Sequence, residues 1–224
     1  MLQPNYQRPC AQIIDEIDRG RAQQYALLAT LLSRSPDAGL ISRLALLKGD
    51  ASAIGNALSA VGAAAASANE NELGREYFEL FIGLGRGVLL PYSSHYFTGA
   101  LYGRPLARLR QTLRLLGIER AEASSEPEDH AAILCEIMAG LIRGTFSTPA
   151  DADREFFELH LAGWIGRFFI DLERAKPQSF YARVGSLGRL FVNVEREAFA
   201  VGAEHLAGDK FAANAEGGVT RLHR

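Results

Sequence analysis

Apolar positions recur along this chain at the three-to-four spacing of amphipathic helices almost from end to end. Between Ala11 and Leu32 the stripe is Ile13, Ile14, Ile17, Tyr25, Leu28, Leu31 and Leu32. Ser35-Pro36-Asp37 ends that helix and opens another, with Pro36 suited to a first helical position. A short helix through Leu40, Leu44 and Leu47 follows, then an Ala-rich one from about Ala51 to Ala66. The next starts at Asn69 and carries Leu73, Tyr77, Leu80 and Phe81. Pro105 to Leu116 is predicted helical, stopped by Gly117. Ser125 with Glu128 three residues on has the pattern of a capping box, and Pro127 falls in that first turn. The helix they open continues through Ile133, Leu134, Ile137, Met138, Leu141 and Ile142. A long helix is predicted from about Ala150 to Leu172, a break at Lys176-Pro177, and a last helix from about Phe180 to His205. No alternating strand and no fixed-period repeat interrupts this series. The predicted fold is all-α, a single-domain helical bundle of about eight to ten helices over residues 1–205. Residues 206–224 lack periodicity and are expected to be a flexible tail.

One stretch departs from the pattern. Leu80 to Phe97, "LFIGLGRGVLLPYSSHYF", leaves a helix, becomes glycine-rich and then turns apolar and aromatic. Connecting segments usually run polar over the surface. Here Val88, Leu89, Leu90, Pro91, Tyr92, Tyr96 and Phe97 lie in a segment that its glycines keep irregular.

Composition narrows what that stretch can do. The chain has 224 residues, 48% of them hydrophobic and 22% charged, with a net charge of −2. That balance suits a soluble globular domain with a substantial core and offers no basic field for nucleic acid. The best basic stripe, Arg104, Arg108, Arg110, Arg114 and Arg120, shares no clean helical face. No apolar run is long enough for a membrane span, and the first twenty residues lack the apolar core of an export signal. Cys135 lies in an apolar helix and is expected in the core, whereas Cys10 lies near the N-terminus. A cytoplasmic location is therefore expected.

The candidate chemistry is sparse. His95, His130, His160, His205 and His223 contain no metal-ligand spacing, and the cysteines form no Cys-x-x-Cys. His160, between Phe157 and Trp164, is expected to be a core histidine. Gly83 to Gly87 is neither a dinucleotide fingerprint nor a phosphate loop. Ser93, Ser94 and His95 are contiguous, and adjacent residues point in different directions, so contiguity makes no relay. The acids Glu126, Glu128 and Asp129 suit capping and the helix dipole. Asp129-His130 allows two readings: hydrogen bonds that order a neighbouring loop, or a carboxylate and imidazole at a groove mouth. The second would serve an all-α hydrolase using the pair as acid and base. A helical regulator binding nucleic acid is the other alternative.

Three segments together resemble one family. "EYFELFIGLGRGVLLPYSSHYF" resembles its Tyr-x-x-Leu-Phe-x-Gly-x-Gly…Pro-Tyr-x-Ser signature. "EPEDH", Glu126 to His130, is similar to its Glu-Pro-x-Asp-His signature. "FFELHLAGWIGRFF" followed by "FYARVGSLGRLF" resembles its C-terminal helix pair. The family is the TorD/DmsD/NarJ group of redox-enzyme maturation chaperones, and the resemblance covers about Gln23 to Glu204. It implies a TorD-like, non-enzymatic, cytoplasmic protein, monomer or homodimer. Its partner would be the catalytic subunit of a molybdopterin oxidoreductase of the DMSO/TMAO reductase, nitrate reductase or formate dehydrogenase type. The chaperone would bind that subunit's leader, often a twin-arginine signal, and assist cofactor insertion before export. Some members bind guanine nucleotide weakly, and no other cofactor is implied. By resemblance the client-binding residues are Leu80, Phe81, Gly83, Gly85, Pro91, Tyr92 and Ser94, then Glu126, Pro127, Asp129 and His130, with Tyr25 from the N-terminal helix. Several relatives carry tryptophan where this chain has Gly85 and Tyr92. Pro91 and Tyr92 are expected as contacts ahead of Val88 and Leu89. Glu126, Glu128 and Asp129 are expected to receive leader guanidinium groups at the groove rim, so that charge reversal at Asp129 weakens binding without unfolding the protein.

Overall fold

A computed structural model describes residues 15–83, 88–119 and 126–216, with side chains through Val201. The described residues form ten α-helices: α1 (Glu16–Ser33), α2 (Ala38–Leu44), α3 (Ala53–Ala66), α4 (Glu70–Tyr77), α5 (Ser93–Thr98), α6 (Arg104–Leu115), α7 (Ala131–Ile142), α8 (Ala152–His160), α9 (Ile165–Ala175) and α10 (Phe180–Glu216). The all-α expectation holds, with no named strand among the described residues.

Side-chain caps set where several helices begin, because the first backbone N–H groups of a helix have no internal partner. Asp15 accepts from the Asp18 N–H, Asp37 from Leu40 and Ser52 from Gly55. Asn69 and Glu72 form a reciprocal capping box at α4. Pro36 thus precedes the cap of α2 and does not occupy its first turn, since Asp37 supplies the cap.

Buried residues from Ala22 to Val192 make one connected core. α1 packs along α7, and α10 packs on α9 and α3. α9 and α10 approach closely through glycine. A Cβ at Gly185 would lie 2.5 Å from the Glu173 backbone nitrogen, and one at Gly188 would collide with the Phe169 ring. Cys135 is buried and free, as its apolar setting predicts, and burial pushes its thiol up to about 12.

Two sequence expectations change here. The predicted helix from Ala150 to Leu172 is two helices, broken between Leu161 and Trp164. Phe97 lies against Gly163, where a Cβ would come within 2.9 Å of its ring, and the Trp164 indole N–H takes the freed His160 carbonyl at 2.7 Å. The last helix runs on through Glu216, past His205 and into the expected tail.

His160 is a buried core histidine, its Nε2 2.9 Å from the Thr112 hydroxyl. Burial first, and Arg108 second, push its imidazole down to about 4. An unfolded histidine binds its proton near pH ~6.5, so the unfolded chain takes up a proton that the folded chain refuses until about pH 4. The contribution is complete above that window and is lost as pH falls through it. Urea titrations at neutral and mildly acidic pH are expected to show this loss, and His160→Gln is expected to flatten it.

Candidate functional site

The two signature segments meet in space. Pro91 C=O accepts from the Ala131 N–H at 2.7 Å, and Ser93 N–H donates to the Asp129 carbonyl at 3.0 Å. These bonds form an isolated antiparallel bridge between Tyr92 and His130. The rings of those two residues stand edge to face at 5.0 Å. The Tyr92 hydroxyl donates to Glu126 at 2.6 Å. Burial, then that carboxylate, push the phenol above its ordinary range.

Asp129 supplies the third link. It is 0% exposed, and its Oδ2 accepts from the Ser94 N–H at 2.8 Å and the Ser93 hydroxyl at 3.3 Å. Its Oδ1 has no partner among the described residues. The carboxylate therefore caps the start of α5 from a distant segment and orders the Pro91–Ser94 loop. It has no exposed atom to offer a guanidinium, so the surface role expected for it gives way to this one.

The same geometry moves the start of α7. Pro127 to Asp129 form a turn closed by the His130 N–H on the Pro127 carbonyl at 3.1 Å. A helix starting at Pro127, as expected, would withdraw Asp129 from the serines. Instead His130 caps α7, its Nδ1 accepting from the Ala132 N–H at 3.1 Å. Burial holds its imidazole below the ordinary value, against the pull of Glu126 and Asp129. Both halves of the Asp129-His130 pair are thus engaged by backbone. Ser125 of the expected capping box lies outside the described residues.

The first signature is shaped by an unusual turn. After α4 the chain forms one π-helical turn, Phe78–Ile82, closed by the Gly83 N–H on the Phe78 carbonyl at 2.7 Å. Gly83 sits at φ 54°, ψ 177°, a region that only glycine occupies at low cost. The turn carries Leu80 into the core and sets Phe81 at 5.0 Å from Tyr77 and 5.5 Å from Tyr181. Behind it, Tyr77 and Tyr181 donate to the last carbonyls of α1, Leu32 and Leu31, both at 3.2 Å. Glu76 accepts from the Tyr181 N–H at 2.8 Å and so caps α10.

Pro91 and Leu89 are buried, Tyr92 is half-buried and Val88 is 70% exposed. Tyr25 lies wholly in the core, edge-on to Phe191 at 4.7 Å. Gly85 lies outside the described residues.

Two cavities flank α7. The larger, about 700 Å³, lies between α1 and α7; small residues, Ala26, Ala29, Ala132 and Ala139, line its floor, with Tyr77, Glu126 and His130 also on its wall. The second, about 550 Å³, lies between α6 and α7 among Leu113, Ile118, Ile133 and Ile137, with Glu128 on its rim. Arg110 pairs with Glu128 at 2.8 Å. Of the residues expected by resemblance, Glu126 and His130 line the larger cavity; Tyr92, Asp129 and Ser94 stand behind them as supports. Glu136 and Phe146 line both cavities and were not foreseen. The available signal was that Glu136 is the one charged residue of α7.

Among the described residues no group of three or more His, Cys, Asp or Glu side chains could hold a metal ion. No helix there is long and apolar enough to cross a membrane.

The family model described as nitrate reductase delta subunit matches residues 47–170. The chain is 27% identical over 134 residues to chaperone protein TorD of Vibrio cholerae serotype O1 strain El Tor Inaba N16961, covering 56% of this chain and 61% of that one. It is 30% identical over 135 residues to TorD of Aliivibrio fischeri, covering 55% and 62%. The matches thus span about three fifths of those relatives' length. A solved structure from Archaeoglobus fulgidus, described as a candidate redox enzyme maturation protein, superposes with a TM-score of 0.55 at 20% identity. It covers 83% of this chain and 99% of its own, and at that identity the likeness speaks to the fold.

Proposed function

Because this chain belongs to the nitrate reductase delta subunit family, we propose that it is a maturation chaperone for a molybdopterin-dependent oxidoreductase. It acts in the cytoplasm by binding, and not by turnover. Its client is the precursor of the catalytic subunit, held by the N-terminal leader while cofactor is inserted. The observation that carries this reading is the union of the two signature segments beside the α1–α7 cavity. A leader presents an apolar run next to arginines, and its binder needs accessible apolar walls with carboxylates at the rim. Ala26 and Ile133, both half-buried, offer such a wall over the buried Ala29 and Ala132, and Glu126 stands exposed at its edge. Tyr92 fixes Glu126, while Asp129, Ser94, Leu80 and Gly83 hold the loop and turn that keep Tyr92 in place.

The test is co-expression of the tagged chain with a molybdopterin oxidoreductase catalytic subunit from the same genome, with and without its leader. Recovery of the cofactor-free precursor in clear preference to the leaderless form is expected. Equal recovery of both forms, or of neither, would refute leader recognition.

A further inference from the structure

α7 presents one ridge between its two cavities. Ile133, Glu136 and Phe146 line both of them, so whatever lies in one cavity borders the other at these residues. Phe146 rests on Gly140, one turn beyond Glu136, where no Cβ would fit beneath its ring. Half-buried apolar side chains therefore stand on either side of the Glu136 carboxylate.

That carboxylate is exposed and has no ion pair or hydrogen bond among the described residues. Its acidic neighbours are engaged, Glu126 by Tyr92 and Glu128 by Arg110. Arg143, the cation of the α1–α7 cavity, donates to the Ala22 carbonyl at 3.4 Å. The two cavities together are lined by Glu119, Glu126, Glu128 and Glu136 against Arg110, Arg114 and Arg143. Among the described residues the lining has one more acid than it has arginines, and Glu136 is the acid that both cavities share.

We propose that Glu136 is a specificity-determining residue that receives a basic side chain of the bound leader, which crosses α7 with flanking apolar side chains in the two cavities. This rests on the leader-binding function proposed above and assigns the charge selection to a residue outside both signatures. A carboxylate between apolar walls favours a guanidinium, whose flat faces and stem pack while its edge donates.

The probe is a labelled 24-residue synthetic peptide with an Arg-Arg pair ahead of a leucine–alanine run, and a second peptide with both arginines replaced by glutamine. Fluorescence anisotropy compares the full chain with Glu136→Gln and with Glu158→Gln, an exposed α8 carboxylate that lines neither cavity. Glu136→Gln is expected to weaken the arginine peptide by about twofold to fivefold, the range for one accessible ion pair, and to leave the glutamine peptide unchanged. Glu158→Gln is expected to change neither. If the unmodified chain prefers the arginine peptide and Glu136→Gln preserves that preference in full, the assignment of Glu136 fails and the leader-binding function stands. If the unmodified chain binds neither peptide, both fail. Self-association of the unliganded chain that Glu136→Arg abolishes would assign the ridge to a second copy and overturn the proposal.

Discussion

Replacing Arg21 with methionine is expected to cost about 3–5 kcal/mol of folding stability, the penalty for stranding a buried carboxylate. Glu195 of α10 is 2% exposed, and Arg21 of α1 grips it with two bonds, Nε to Oε1 at 2.7 Å and a terminal nitrogen to Oε2 at 2.9 Å. The same guanidinium reaches Asp18 at 2.6 Å and Asp153 of α8 at 2.9 Å, and lies 5.0 Å from the Phe199 ring centre. One cation thus joins three helices, and its removal leaves three carboxylates facing one another. These partners raise the Arg21 pKa despite the opposing effect of burial. The double variant Arg21→Met/Glu195→Leu is expected to recover most of the loss, because a matched apolar pair carries no desolvation penalty. Urea denaturation of the four species of that cycle measures the coupling. A single-variant loss below about 1 kcal/mol would mean that the pair behaves like an exposed ion pair.

Asp129→Ala is expected to cost about 2–4 kcal/mol, since it leaves the Ser94 N–H and the Ser93 hydroxyl without their buried acceptor. Asp129→Lys is expected not to fold, because a cation would replace a carboxylate that is wholly enclosed. Asp129→Asn keeps one acceptor oxygen for the Ser94 N–H and is expected to lose less. In the leader-binding function, the alanine variant weakens capture in proportion to its loss of order in the Pro91–Ser94 loop. Hydrogen exchange at Ser94, read beside leader binding, separates that role from direct contact. Asparagine with native exchange protection and strongly reduced capture would give the charge itself a part in binding.

The helices were legible because their apolar stripes keep phase and because Asp37, Ser52 and Asn69 are local caps. The start of α7 was not, since the Pro127 pattern cannot register that Asp129 is wanted by serines about thirty-five positions upstream. The break at Leu161–Trp164 was hidden for a similar reason. The aromatic stripe continues across it, and Phe97 from another element occupies the space at Gly163. At the candidate site, the signatures marked residues that build the scaffold more than residues that face the cavities. Pro91, Ser94 and Asp129 are buried, while Glu136 and Phe146 become visible only once α1 and α8 have covered the rest of α7. That helix is apolar nearly all round, so periodicity alone could not say which face stays open.

The π-helical turn has a consequence for how the protein tolerates change. It leaves the Glu79 and Leu80 carbonyls to accept from Val88 at 3.4 Å and Leu89 at 2.9 Å. Gly83 on one side and Val88 and Leu89 on the other are thereby held to the turn by backbone bonds that involve no side chain. Lengthening a flexible segment between two fixed ends costs little, about 0.6 kcal/mol for each doubling. The bonds at Val88 and Leu89 and the Tyr92–His130 bridge downstream depend on no side chain between positions 83 and 88, so insertions between those positions are expected to leave the bridge in register.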